Sequence, residues 1–200
     1  SREAVAEHMK ASIARAVYTH DGFRERLALF WADHFTVRAT AAIRRHLVSP
    51  YIEEAIRPHV AGRFADMLVA VVGSPMMIFY LDQNRSMGPN SQSALRRDGG
   101  LNENLAREVM ELHTLGVDGA YTQDDVRQFA ELLTGVTANA QRGGFFQENQ
   151  AEPGSETVLG VTYGGGEHSL DHVNAALRDI AMHPDTARHL AQKLAVHFIG

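Results

Sequence analysis

The 200-residue chain has no cysteine. Disulfides, thiolate metal sites and a cysteine nucleophile are thereby excluded, while the compartment stays open, because a cysteine-free chain suits export and cytoplasm alike. Lysine is nearly absent: Lys10 and Lys193 are the only two, and no basic run occurs in a chain of formal net charge −5. Binding a phosphate backbone needs clustered Lys and Arg, so nucleic acid is not an expected partner. Long apolar runs are missing too. The most apolar stretch, 67–81, is interrupted by Gly73-Ser74-Pro75 and, at about 15 residues, is too short for a membrane span. No serine-histidine-aspartate order, nucleophile elbow, P-loop or Rossmann glycine pattern is visible, which removes most familiar enzymes.

What remains is helical periodicity. With 44% hydrophobic residues the chain can build one domain with a sizeable core. Stripes at helical spacing recur throughout: Val5, Met9, Ile13, Ala16 and Val17; Phe23, Leu27, Phe30 and Trp31; Phe64, Leu68, Val71 and Val72; Leu170, Val173, Leu177 and Ile180; Ala187, Leu190, Leu194 and Phe198. Ser49-Pro50 and Ser74-Pro75 carry the chemistry of helix starts, and Pro58 closes or restarts the first of these. The expected fold is mainly α, a single-core domain of about eight helices over 1–200. A Gly- and Glu-rich insert at 141–166 should hold a short β-hairpin near 145–163, from Phe145-Phe146, Thr157-Val158-Leu159 and Val161-Thr162-Tyr163. The polar loop 82–100 has no periodicity and reads as a lid or a linker, with Arg85, Arg96 and Arg97 able to bind an anion.

The chain is organised around 101–126. Winding 101–115 as an α-helix puts Leu101, Leu105, Val109, Leu112 and Leu115 on one face, and Glu108 falls inside it, with Asn104 and Glu111 on its edge. A carboxylate in an apolar face must be paired, hydrogen-bonded, protonated or bound to a cation. Arg107 points away from Glu108 and suits Glu103 and Glu111, each four residues off; Arg85, Arg96, Arg97 or Arg127 could reach Glu108 instead. Gly116 is a C-cap, Thr122 with Asp125 forms a capping box for the next helix, and Gly135 stops that helix. His34 is the second polar intrusion, at the centre of the face of Phe30 and Trp31.

Two functional readings follow. In one, His34, Glu108 and Glu111 are catalytic or ligating, with Asn104, Arg107, Tyr121 and Asp82 in support. Such a set suits hydrolysis by acid-base transfer, or a divalent metal of the Mg, Mn, Ca or Zn kind. His34 and Glu108 should then face each other across an open cleft. In the other, the same residues form a structural network in a scaffold or partner-binding module, and an arginine should sit on Glu108. The i, i+4 pair His168 and His172 is taken as incidental, since His172 points opposite the apolar stripe.

The stretch NENLAREVMELHTLGVDGAYTQDDV resembles the signature of the bacterial family catalogued as domain of unknown function 1800. FWADHF, SPMMIFYLDQNRSMGPNS, EPGSETVLG and HPDTARHLAQKLAVHF are similar to its other segments, so the resemblance spans nearly the whole chain. It implies an exported or periplasmic bacterial protein, longer than this chain, and a protein partner resembling alkaline phosphatases and sulfatases. The chain opens directly in a helical pattern without a leader, and is therefore expected to be a fragment or a processed form. The family pattern places a histidine before the acidic residue of EPGSETVLG, where this chain has Ala151 before Glu152.

Overall fold

A computed structural model describes residues 2–39, 47–96, 99–166 and 169–200. Arg97 and His168 lie outside the described residues, as does the side chain of Val5. Among the described residues nine α-helices form: α1 (Arg2–Tyr18), α2 (Gly22–His34), α3 (Val48–Tyr51), α4 (Phe64–Val72), α5 (Pro75–Tyr80), α6 (Asn104–Glu108), α7 (Gln123–Leu132), α8 (Leu170–Met182) and α9 (Pro184–Ile199). The mainly α expectation is met. None of the helices is long and apolar enough to cross a membrane.

Local signals explain most boundaries. Asp21 caps α2 by accepting from the Arg24 amide, and Thr122 and Asp125 exchange both bonds of a capping box at α7. Pro75 and Pro184 stand in the first turns of α5 and α9, where a missing N–H costs nothing. Ser49-Pro50 behaves differently: it lies within α3, whose N-cap is Leu47. Gly116 and Gly135 take φ of +86° and +90°, a left-handed backbone open to glycine, and each turns the chain out of a helix.

Two helices widen. The turn Ile52–Ile56 after α3 and the turn Val109–His113 after α6 are both π-helical. The second alters the predicted pattern. Leu105, Val109 and Leu115 are buried as expected, but Leu112 is 47% exposed and His113 takes the interior seat. A turn with one extra residue rotates everything after it relative to an ideal α-helix. Thr114 answers the widening by donating its hydroxyl to the Val109 carbonyl at 2.6 Å.

The fully buried side chains include Phe35, Ile56, Met67, Leu68, Met76, Met77, Ile78, Leu105, Met110, Phe129, Leu133 and Leu177, so α4 to α8 and the two π turns supply most of the interior. The stripe expected on α1 does not join it: Met9, Ile13 and Val17 are all exposed, and so is Phe23 at the start of α2.

Instead of one hairpin over 145–163 there are two separate antiparallel hairpins. β1 (Val136–Asn139) pairs with β2 (Gly143–Phe146), and β3 (Ser155–Val158) pairs with β4 (Val161–Gly164). Phe145 and Phe146 thus pair back onto the β-branched run after Gly135. Gly143, at φ +68°, supplies the left-handed residue that this turn needs.

Candidate functional site

The chain enters α6 through Asn102. Its backbone N–H donates to Ser86 Oγ at 3.0 Å, its side-chain amide donates to the Leu81 carbonyl at 2.9 Å, and its Oδ1 accepts from the Asn104 amide at 3.0 Å. An asparagine used in this way starts a helix and ties it to the preceding segment at once. The two ends of the 82–100 loop are therefore held beside α6.

Arg107 reaches along its own helix in both directions. It donates to Glu111 Oε1 at 3.0 Å and to Glu103 Oε2 at 2.9 Å, and Gln123 of α7 bonds both Arg107 and Glu103. Glu108 takes no part in this ladder. Among the described residues its carboxylate has no hydrogen bond and no ion pair; Arg127, one of its candidate partners, is paired with Glu131. Burial raises the Glu108 carboxyl above the ordinary carboxylate value, and the charge of Glu111 adds to the shift.

Glu108 and Glu111 share an open cleft of about 230 Å³ with Leu81, Asn104, Arg107 and Leu112. Four of the sequence-derived residues, Asn104, Arg107, Glu108 and Glu111, thus line one cleft. Tyr121 is half-buried nearby; burial raises its phenol, and the Glu111 carboxylate raises it further. Asp82 is exposed and holds a left-handed backbone at φ 54°, turning the chain directly after Leu81.

His34 is not part of this cleft. Its Nε2 lies 3.0 Å from the His113 carbonyl, and its ring packs among Phe30, Trp31, Phe35, Phe64, His113 and His189. A carbonyl only accepts, so Nε2 carries the hydrogen and Nδ1 is left as a bare buried acceptor. Burial, with Lys193 as an adjoining positive charge, pushes both His34 and His113 down to about 3, and both imidazoles stay neutral. Glu108 and His34 were expected to intrude on one site; the structure seats them in different surroundings.

A second acidic group was missed from the sequence. Glu131 of α7, Glu152 before β3 and Glu156 of β3 are 8%, 8% and 3% exposed. The signal was present, because Glu156 shares the buried face of β3 with Val158 at a spacing of two residues. Among the described residues, no three His, Asp or Glu side chains are grouped so as to hold a metal ion.

Compared with known proteins, the chain matches over residues 1–200 the family model described as Protein of unknown function (DUF1800). No curated protein and no solved structure matches.

Proposed function

The chain belongs to the DUF1800 family, and since that membership carries no activity with it, we propose from the geometry that the cleft of Glu108 is an acid-base site for a small polar substrate, hydrolytic in class. The observation that carries this reading is the unpaired Glu108 carboxyl beside an Arg-paired Glu111. Two neighbouring carboxyls in different surroundings are suited to opposite proton roles. Glu108, which burial makes hold its proton more tightly than an ordinary carboxyl, donates to the leaving group. Glu111 has one oxygen engaged by Arg107 and another free to take the proton of an attacking water. Asn104 offers an amide to orient the substrate, and Tyr121 stands beside Glu111. At about 230 Å³ the cleft is below the range for drug-sized ligands, which restricts it to one small polar moiety at a time.

Carboxyl titration by NMR tests this. The Glu108 midpoint should lie above that of an exposed carboxylate and fall in Glu111→Gln, and Glu108→Gln should abolish turnover found in a panel of ester, glycoside and phosphoester substrates. An ordinary Glu108 midpoint, unmoved in Glu111→Gln, would falsify the proposal. Metal analysis of the purified protein, with melting measured in divalent salts, separates a metal-assisted version from a metal-free one.

The ladder from Glu103 through Arg107 to Glu111, tied to α7 by Gln123, favours a second reading, in which the network fixes helix register in a partner-binding module. In that case Arg107→Ala lowers the melting temperature, and Glu108→Gln changes neither stability nor any turnover.

A further inference from the structure

The carboxyls of Glu131, Glu152 and Glu156 come from three segments and face a shared interior. Two of them are provided for. Glu131 accepts from Arg127 at 3.2 Å and Gln128 at 3.1 Å, and Glu152 accepts from the Asn90 backbone N–H at 2.9 Å and from the Asn90 side chain. Glu156 is the most deeply buried of the three, and its Oε2 has no partner among the described residues. Among the described residues Arg127 is the one cation paired with the group, and it is largely exposed and committed to Glu131.

The three segments are load paths. The hairpin β3–β4 hangs on α7 through the Thr157 amide to Gln128 Oε1 at 3.0 Å and the Leu159 amide to Asp125 Oδ1 at 2.7 Å. The same buried face, on which Tyr163 stands opposite Glu156, also meets α8, where the Tyr163 hydroxyl donates to Asp179 at 2.7 Å. The 82–100 loop grips the segment before β3 through the Glu152–Asn90 pair and the Gly88 amide, which donates to the Gln150 carbonyl at 2.9 Å. Among the described residues, the charged groups acting on Glu156 directly are Glu131 and Glu152, with Tyr163 opposite it across the hairpin; Arg127 and Asp124 act on Glu131, Asp125 holds the Leu159 amide and Asp179 holds Tyr163.

We propose that Glu156 is a proton-operated latch: the neutral carboxyl seats the β3–β4 hairpin on α7, and the ionised form, a third buried negative charge beside Glu131 and Glu152, loosens the hairpin and with it the loop that leads into α6. Burial, and then the charges of Glu131 and Glu152, raise the carboxyl to about 7, which sets the change near neutrality. The sign follows from linkage. A carboxyl that holds its proton more tightly when closed favours the closed form below its open-state value near 4.5, and that advantage is lost as pH rises towards 7.

Hydrogen exchange, corrected for intrinsic rates, tests the latch on the whole chain. Between pH 5 and pH 8 the local opening constant of the 155–164 amides should rise by roughly fiftyfold and then level off. The amides of 88–93 should follow, while α4 and α5 should not. Glu156→Gln, neutral and of the same shape, should keep the hairpin protected at every pH. Glu131→Gln, which removes one of the repelling charges, should weaken the rise. Protection in the native chain that is equal at pH 5 and pH 8 overturns the proposal, as does an equal pH response in Glu156→Gln. If Glu156→Gln fails to fold, the carboxyl signal of Glu156 in the native protein decides: a midpoint below 5 rules the latch out.

Discussion

Gly88 is where the loop and the acidic segment touch most closely, and Gly88→Ala measures what that contact holds. A Cβ built there would stand 2.5 Å from the Cα, the N and the Oε2 of Glu152. Two of those atoms are backbone and cannot swing aside. Ordinary contact begins at 3.4 Å, so the segments must part by about 0.9 Å. Parting on that scale breaks the Gly88 amide's bond to Gln150 and the paired bonds of Asn90 to Glu152. A neutral bond contributes about 1 kcal/mol net and each of the two bonds to the carboxylate about 1.5 to 3, so the expected loss is about 4 to 7 kcal/mol. For a chain of this size that lowers the melting temperature by about 8 to 28 °C. Urea unfolding with a parallel thermal melt provides the assay. Gly100→Ala is the control, since nothing lies within 4 Å of a Cβ there, and it should change stability little. A Gly88→Ala protein within about 0.5 kcal/mol of the parent, the usual scatter of neutral surface changes, would refute the reasoning.

Two further outcomes are expected. Arg57 grips Glu25 with two bonds of 2.8 Å and reaches Glu53 at 3.1 Å, in a largely buried setting. Arg57→Ala strands the Glu25 carboxylate and should cost about 3 kcal/mol in urea unfolding, most of it regained when Glu25 is also made Met; a loss below about 1 kcal/mol contradicts the account. His34 and His113 fall from 6.5 in the unfolded chain to about 3 in the folded one. Their contribution is present above 6.5 and lost as pH falls towards 3, with a limiting slope of about 2.8 kcal/mol per pH unit for two protons. A urea midpoint that stays level from pH 6 to pH 4, measured in a Glu156→Gln background, would disprove the buried neutral pair.

Boundary chemistry was the legible part of the chain. The Thr122–Asp125 box, Pro75, Pro184, Gly116 and Gly135 act through their immediate neighbours, so their spacing alone determines what they do. Arg107 was readable for the same reason, because both its partners lie four residues away on one helix. The π turn was not legible. No local propensity marks 109–113, and an α-helical wheel places Leu112 inside, where the structure places His113. Separation of His34 from Glu108 depends on which helices become neighbours, and a face pattern is silent on that. The β-branched run Val136-Thr137 reads as a strand only once its partner Phe145-Phe146 is known. Glu156 was legible through its two-residue spacing from Val158, and was passed over because the expected β run began at Thr157, one residue beyond it.

The wide turn at 109–113 gives this part of the chain a spare residue. An α-helix over the same rise would need one fewer, and each residue of an α-helix accounts for about 100° of rotation. Deleting one position before Leu112 should therefore let the turn close as an α-helix of the same rise, with His113 still inside and the side chains after it where they are. Leu112 and His113 are adjacent in the chain, one half in water and the other inside. The width of the turn, at fixed chain length, works as a selector between a leucine and an imidazole for the same interior seat.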